Sequence, residues 1–238
     1  MHRAPSAYLA LVETAARRYA PAGRFATHFA RGKLRHDPVF AAILAQDLIP
    51  RDARLIDLGC GQGVLLALLV AAEGAAARGA WPAEWPPAPR LASMTGFELL
   101  PHAVARARAA LGDRAHIEQA DLRTIELPAC DAIALIDVLH YVDAAAQEVA
   151  LAKCARALPA GGVLFLRVGD AGAGWRFALT RVADQIASFG RSGSWPMLYA
   201  RPVREWVALL ERSGFDVRSQ PASEGTPFAN ALLVGRRR

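Results

Sequence analysis

The sequence has few cysteines, and they do not form a recognisable set. Cys60, Cys130 and Cys154 are the only three in 238 residues, and they lie far apart. No two of them have the spacing of metal ligands, and an odd number argues against a disulfide framework. We therefore expect a reduced, cytoplasmic protein without a metal site.

Long apolar runs and internal repeats are also lacking, and the beginning of the sequence is not expected to be a secretory signal. The longest purely apolar run, Val64 to Ala72, is far shorter than the roughly 20 residues of a membrane-spanning helix. The apolar beginning of the chain is interrupted by Glu13 and followed by Arg17 and Arg18, unlike a signal peptide. No period typical of solenoid proteins recurs. Because 53% of the residues are hydrophobic, the chain can bury a full core as one soluble domain.

Positive charge is concentrated at the beginning of the chain. The first 36 residues hold one acid, Glu13, and their net charge equals the +6 of the whole chain. Their basic residues are Arg3, Arg17, Arg18, Arg24, Arg31, Lys33 and Arg35. Such a segment could attract an anionic substrate, a membrane surface or nucleic acid. It could equally be an arginine-rich face in contact with solvent alone.

Hydrophobic periodicity divides the chain into a helical beginning and an alternating remainder. Three helices are predicted at about 5–19, 25–34 and 37–48, and residues 1–50 would form an N-terminal helical cap of the same domain. From residue 51 onward, strands alternate with helices, which predicts right-handed crossovers and a mainly parallel sheet. The predicted strands are 54–58, 91–99, 115–120, 131–139 and 163–168, and the predicted helices are 64–77, 102–111 and 144–158.

The pattern changes after residue 170. A helix at 175–189, a break at 190–196 and a helix at 203–214 ending in Gly214 precede two strands, 215–220 and 228–235. No helix separates these two strands, so an antiparallel hairpin is expected. We assign residues 51–238 to one catalytic domain that has a substrate-side insert near 170–200.

The proline-rich stretch at 77–90 predicts a long surface loop after the first crossover helix. Its prolines do not allow a regular helix there. Its two tryptophans, Trp81 and Trp85, are interpreted as anchors of the loop, not as ligand contacts.

The stretch LIDLGCGQG places glycines at every second position directly after the first predicted strand. Glycine lets the backbone approach a ligand closely, and ligands of open parallel sheets bind at the carboxyl ends of the strands. The dinucleotide fingerprint G-x-G-x-x-G does not fit, because Val64 stands where its third glycine belongs. Asp57, two residues before Gly59, would repel a phosphate and attract an ammonium or sulfonium group.

This stretch resembles the first motif of the class I S-adenosylmethionine-dependent methyltransferases, an acid followed by G-x-G-x-G. The resemblance implies an α/β fold, a Rossmann-like three-layer sandwich. Its mostly parallel seven-stranded sheet would end in a C-terminal antiparallel hairpin, with an N-terminal helical cap. It also implies S-adenosyl-L-methionine as the cofactor. The implied cofactor-binding residues are Asp57, Gly59, Cys60, Gly61, Gly63, Glu98, Leu99, Asp121, Leu122 and Asp137.

The resemblance also implies roles for the acids that follow the later strands. Glu98 would hold the ribose hydroxyls, a task that suits a carboxylate because it accepts from two hydroxyls at once. Asp121 would meet the adenine amino group, with Leu122 beside it. Asp137 would border the transferred methyl. Gly59 and Glu98 lie 39 residues apart, and the loop at 77–90 accounts for this unusual length.

Candidate catalytic residues are His140 and Tyr141, which follow the fourth strand, and His28 in the helical cap. Each could act as a base or orient the acceptor, or it could be structural. The aromatic residues Trp175, Phe177, Trp195 and Tyr199 would suit an apolar or aromatic acceptor with an anionic group, unless they belong to the core. The sequence D-V-L-H at 137–140 lacks the Asn/Asp-Pro-Pro-aromatic turn of certain amino methyltransferases, which disfavours DNA adenine and protein glutamine as acceptors.

The leading hypothesis is methyl transfer by in-line displacement to O, C or N of an apolar small-molecule metabolite that could carry an acidic group. One alternative is a methyltransferase for RNA or another macromolecule, which would use the basic N-terminal segment. Another is an NAD(P)-dependent oxidoreductase, which shares the fold class. A small-molecule acceptor is the expected partner, DNA is not expected, and contact with RNA or a membrane surface is less favoured. The oligomeric state stays open.

Overall fold

The computed structural model describes residues 6–192, 195 and 197–238. The chain divides into two compact units, one ending at Leu122 and the other beginning at Arg123. The predicted helix start at Pro5 and part of the predicted break at 190–196 lie outside the described residues. The boundary predicted at residue 50 stays a prediction. No helix in the described ranges combines the length and the apolar character needed to cross a membrane.

The first unit contains the helical beginning of the chain and three parallel strands in the spatial order β3-β2-β1. Its elements are α1 Ser6–Arg17, α2 Arg24–His36, α3 Pro38–Ala45, β1 Ala53–Leu58, α4 Val64–Ala77, β2 Leu91–Glu98, α5 Pro101–Leu111 and β3 His116–Gln119. The Asp37 side chain caps α3 by accepting a hydrogen bond from the Val39 amide at 3.2 Å. Pro38 occupies the first turn of this helix, where its missing N–H costs nothing.

The second unit contains four strands in the order β4-β5-β7-β6. Its elements are β4 Ala132–Ile136, α6 Ala144–Ala157, β5 Val163–Gly169, α7 Trp175–Ser192, α8 Val203–Arg212, β6 Phe215–Pro221 and β7 Asn230–Arg237. Strand β7 is antiparallel to both β5 and β6. The two units together contribute seven strands. The predicted fold class, with its mostly parallel seven-stranded sheet and C-terminal antiparallel hairpin, is confirmed.

Several predicted element boundaries differ from those of the structure. The strand expected at 131–139 ends at Ile136, because Asp137 takes a left-handed backbone with φ of 59° and Leu139–Tyr141 form a 3-10 turn. Val138 and Leu139 are buried without being part of a strand, so their apolar character extended the pattern too far. Helix α7 continues to Ser192, beyond the predicted end at 189.

The proline-rich loop after α4 is held against the helical beginning of the chain. The Trp85 ring lies 6.2 Å from the ring of buried Tyr8 and 5.4 Å from that of Trp81. The Trp81 indole donates a hydrogen bond to the Pro86 carbonyl at 2.8 Å. The two tryptophans therefore anchor the loop, as predicted.

Candidate functional site

The glycine turn after β1 adopts a backbone that only glycine forms readily. Gly59, Gly61 and Gly63 have φ of 79°, 58° and 79°, in the left-handed region where a Cβ atom is costly. A Cβ at Gly63 would lie 2.8 Å from Cδ1 of Leu111, so this glycine lets the turn approach α5. A Cβ at Gly61 would meet no atom within 4 Å. The turn is thus closely packed at Gly63 and open at Gly61.

The end of β2 holds this turn in place. The amides of Gly59 and Cys60 both donate to the Phe97 carbonyl, at 2.7 and 3.0 Å. The Glu98 carboxylate accepts from the Gly61 amide at 2.9 Å through Oε2 and from the Leu100 amide at 2.8 Å through Oε1. Glu98 therefore joins the turn to the beginning of α5, and it lies at the end of β2 despite the long preceding loop.

Glu98 keeps the capacity to bind a diol. Each carboxylate oxygen can accept two hydrogen bonds, and the contacts with Gly61 and Leu100 use one on each oxygen. Leu99, next in the chain, is 52% exposed and offers an apolar surface beside this carboxylate. A ribose with an adenine attached matches this pairing of two acceptors with an apolar neighbour.

Asp57 is a buried acid at the end of β1, only 3% exposed. Burial, and secondarily the negative charge of Glu98, raises its pKa to about 7 from the usual value of 3.8. A cation bound next to Asp57 would lower this pKa and gain attraction from both carboxylates. The electrostatics of the site thus favour a positively charged, phosphate-free ligand group.

Cys60 faces the sheet. A Cβ at Gly96 on β2 would lie 2.8 Å from the Cys60 sulfur, so glycine at this position makes room for the thiol. Burial raises the pKa of the thiol well above its usual value, and the charges of Asp57 and Glu98 add to this effect. Cys60 therefore contributes packing and its backbone amide to the turn.

Sequence reasoning did not identify the role of Gln62, which stands between two glycines of the turn. Its side-chain amide donates to the Ala26 carbonyl on α2 at 2.9 Å, and its backbone carbonyl accepts from the Tyr19 hydroxyl at 2.8 Å. Gln62 is 6% exposed and Tyr19 is fully buried. The helical beginning of the chain is therefore hydrogen-bonded directly to the glycine turn. A glutamine between two glycines is the sequence signal that could have indicated this contact.

Asp121 and Leu122 follow β3, and both are half-buried. Strands β1, β2 and β3 run parallel in one sheet, so residues after their carboxyl ends lie along the same edge. The first unit thus brings the predicted acids Asp57, Glu98 and Asp121 to one edge of its sheet, together with the glycine turn.

In the second unit, Asp137 and Arg167 form a bidentate ion pair. The Arg167 Nε donates to Oδ1 of Asp137 at 2.6 Å, and Nη2 contacts Oδ2. The Arg167 side chain is only 7% exposed, so the carboxylate compensates a buried charge. The pair joins the end of β4 to β5. Arg167 was not singled out from the sequence, although an arginine inside an apolar strand signals a buried partner.

His140 and Tyr141 lie in the 3-10 turn after β4. His140 is 6% exposed, and its ring centroid is 4.1 Å from that of Tyr141. The His140 carbonyl accepts from the Tyr199 amide at 2.8 Å. The turn is therefore hydrogen-bonded to the end of the predicted insert.

The side chain of Gln147 on α6 strengthens this connection. Its side-chain amide donates to the carbonyls of Leu139, Val142 and Tyr199, at 3.1, 3.1 and 2.9 Å. Its Oε1 accepts from Nε of Arg201 at 2.7 Å. Gln147 is fully buried and shares the buried face of α6 with apolar residues, which is the signal that could have identified it.

The remaining predicted residues lie on surfaces. His28 is exposed on α2, and in the sequence it stands between Phe25 and Phe29, whose stacked rings have centroids 6.4 Å apart. Trp175 and Trp195 are 71% and 62% exposed, so neither belongs to the core. Phe177 and Tyr199 are more covered, and Tyr199 is 37% exposed. Among the residues that the structure describes, no group of three or more His, Cys, Asp or Glu has the arrangement of a metal site.

Known structures share this fold at low sequence identity. An O-methyltransferase family protein from Burkholderia thailandensis is 20% identical with a TM-score of 0.64, over 95% of this chain and 63% of that one. Human N-acetylserotonin methyltransferase, in complex with S-adenosylmethionine, is 16% identical with a TM-score of 0.60, over 98% and 59% of the two chains.

The O-methyltransferase NcsB1 of neocarzinostatin biosynthesis is a third similar structure. It is in complex with S-adenosylmethionine and 2-hydroxy-5-methyl naphthoic acid, and it is 22% identical with a TM-score of 0.58, over 90% of this chain and 57% of that one. The chain thus spans less than two thirds of the length of each of these three proteins. No curated protein sequence matches it.

The strand order, the antiparallel β7 and the glycine turn after β1 define a Rossmann-like methyltransferase fold. A family model described as a methyltransferase domain matches residues 26–220. The chain belongs to this methyltransferase domain family. The resemblance to class I S-adenosylmethionine-dependent methyltransferases is therefore confirmed at the level of fold and family.

Proposed function

We propose that this chain transfers a methyl group from S-adenosyl-L-methionine to an O, C or N atom of an apolar small molecule that can carry an acidic group. The observation that supports this most is the edge formed by the glycine turn, buried Asp57 and Glu98. It combines a close backbone approach, a diol acceptor and an attraction for cations, in a chain of the methyltransferase domain family.

Each donor-binding residue is assigned to one part of the ligand. Asp57 attracts the positively charged amino acid part, and the open backbone at Gly61 lies against it. Glu98 accepts from the ribose hydroxyls, and Leu99 packs against the adenine. Asp121 and Leu122 hold the far edge of the base. When bound, the donor supplies a methyl group on a positively charged sulfur.

We assign the acceptor side to residues of the second unit. His140 takes the acceptor's proton or orients the acceptor, and Tyr141 lines the same turn. Gln147 positions both, because it binds three carbonyls around the turn. Asp137 acts through its ion pair with Arg167, which fixes the end of β4. His28 on the helical cap is a further candidate, and the cap at residues 1–50 is proposed to cover the donor.

A methyltransferase for RNA is the second candidate, suggested by the basic N-terminal segment. Several of its charges are already engaged within the protein. Arg31 pairs with Glu13 at 2.9 Å and Lys33 with Asp37 at 2.8 Å. Arg18 donates to the Ala110 carbonyl at 3.1 Å. Glu13 and Asp37 compensate two of the positive charges of this segment, which weighs against the RNA candidate.

Thermal denaturation with candidate ligands tests the cofactor. S-adenosylmethionine and its demethylated product should each raise the melting temperature, because both bind the folded state only. NAD should leave it unchanged, which separates this proposal from the oxidoreductase alternative. Absence of a shift with both methyl-donor species would refute the proposed function.

Identification of the acceptor requires a separate experiment. The protein is incubated with methyl-labelled donor and a cell extract, and the labelled products are identified by mass. A labelled small molecule supports the proposal. Label found only in RNA, together with RNA binding that falls steeply with salt, favours the second candidate.

A further inference from the structure

Helix α7 carries a stripe of large apolar side chains that the fold leaves exposed. Trp175, Leu179, Val182, Ile186 and Phe189 are 71%, 42%, 52%, 60% and 46% exposed. They are spaced four, three, four and three residues apart, so they lie along one narrow face of the helix. Leaving five such side chains in water is unfavourable, and a contiguous apolar patch of this kind is typical of an interaction surface.

The opposite side of α7 attaches the helix to the second unit. Thr180 is 3% exposed, and its hydroxyl accepts from the Ala229 amide at 2.8 Å. Arg176 donates to the carbonyls of Phe228 at 2.8 Å and Thr226 at 3.3 Å. The helix is thus fixed by polar contacts while its apolar stripe is left exposed.

The spacing and the neighbours of the stripe favour another helix as the partner over a lipid surface. Alternation of three and four residues is the a/d pattern of helices that pack side by side. The positions flanking the stripe include Ala178, Ala183 and Gln185, which are small or uncharged and permit close approach. A helix that lies in a membrane surface is instead rich in Lys and Arg around its apolar face. Of the charged residues of the helix, Arg181 and Asp184 lie away from the stripe, and Arg176 is bound to the carbonyls of Thr226 and Phe228.

The order of residue types along the stripe is also similar in both directions. An aromatic residue stands at each end, Trp175 and Phe189, and branched aliphatic residues lie between them, with Val182 at the centre. A two-fold dimer brings the same patch of both subunits together, so its surface must match itself. We propose that α7 of one copy packs antiparallel against α7 of a second copy, about a two-fold axis near Val182.

The exposed area is sufficient for such a dimer. Trp195 stacks on Phe189 with ring centroids 4.9 Å apart, and Met197 is 70% exposed. With roughly 150–250 Å² for a whole aromatic side chain, the stripe and these two neighbours expose on the order of 700 Å². Standard interfaces bury about 800 Å² on each partner, whereas the largest apolar patch of a typical monomer is roughly 300–600 Å².

The molar mass in solution tests the proposal. Size-exclusion chromatography with light scattering, over a range of concentrations, should give twice the 25.5 kDa of the chain. Val182→Arg should reduce the mass to that of one chain, because it places two like charges at the axis. Val149→Arg is the matched control, since Val149 on α6 is 48% exposed against 52% for Val182. It should keep the dimer.

A second variant controls for misfolding. A cross-link shows whether the dimer forms through α7 or through another surface. Ile186→Glu should also give single chains, and circular dichroism should show that each variant keeps its helices. Val182→Cys should be joined to its copy by a bismaleimide and Val149→Cys should not, since the three native cysteines are buried.

Three results would overturn the proposal. One is a single-chain mass for the unaltered protein at all concentrations. Another is a dimer that survives both Val182→Arg and Ile186→Glu, because its contact would then lie elsewhere. The third is a single chain that binds anionic vesicles and loses this binding in Val182→Arg, which would assign the stripe to a lipid surface.

Discussion

Replacing Asp57 by asparagine should separate the ligand attraction of this acid from its cost to the fold. The substitution keeps the size of the side chain and removes its charge. At pH 8 the carboxyl is mostly ionised, because its pKa is about 7. Loss of a charge-assisted contact is worth about 1.5–3 kcal/mol, so Asp57→Asn should bind S-adenosylmethionine roughly 10- to 150-fold more weakly at pH 8.

The difference between the two proteins should shrink at lower pH. At pH 6 only about a tenth of the wild-type Asp57 is ionised, and a protonated acid resembles asparagine. The ratio of the two dissociation constants should therefore fall about tenfold between pH 8 and pH 6. Isothermal titration calorimetry at both pH values measures this ratio, and because the same donor is used for both proteins, its own titration cancels.

The stability of the donor-free protein should change in the opposite direction. The folded state keeps the Asp57 proton up to about pH 7, whereas the unfolded chain releases it near 3.8. Stability from this group is therefore lost as pH rises between these values, up to about 4 kcal/mol. Asp57→Asn should be more stable than the wild type at pH 8 in urea denaturation. An affinity ratio that is equal at pH 6 and pH 8, with no gain in stability, would refute this account of Asp57.

Four further substitutions test other parts of the two units. Gly63→Ala should lower the free energy of unfolding by about 2–3 kcal/mol, because the added Cβ atom would be too close to its neighbours and would also strain the left-handed backbone. Gly61→Ala should lower it by about 1 kcal/mol, because only the backbone is strained there, and should mainly weaken donor binding. Gln147→Leu should leave the donor dissociation constant unchanged and lower kcat about tenfold or more, because the turn around it loses its fixed position. Asp137→Asn should destabilise the protein by about 3–5 kcal/mol, since it removes the charge that compensates buried Arg167.

Each of these substitutions has a clear contrary outcome. Equal melting temperatures for Gly61→Ala and Gly63→Ala would contradict the packing described at the turn. A Gln147→Leu protein with normal kcat would remove its positioning role, and a raised donor dissociation constant would indicate general damage. Asp137→Asn with wild-type stability in urea would show that the ion pair contributes little.

The sequence by itself determined the order of the elements and the place of the glycine turn. Strand and helix periods are local properties, so α4 was predicted with its observed bounds of Val64–Ala77. The left-handed backbone of the turn is likewise dictated by its own glycines, Gly59, Gly61 and Gly63. The local signal failed at 137–139, where apolar residues continue past the end of β4 into a 3-10 turn.

Only the tertiary structure decided what surrounds each chemical group. The raised pKa of Asp57 requires burial and the nearness of Glu98, which lies 41 residues away in the chain. The partners of Asp137 and Gln147 are set by β5 and by the segment around Tyr199, and no local pattern specifies such pairings. Whether Trp175 belongs to the core stayed open from the sequence, and in the folded chain it is 71% exposed. Burial and charge depend on contacts between distant segments, and these exist only in the folded chain.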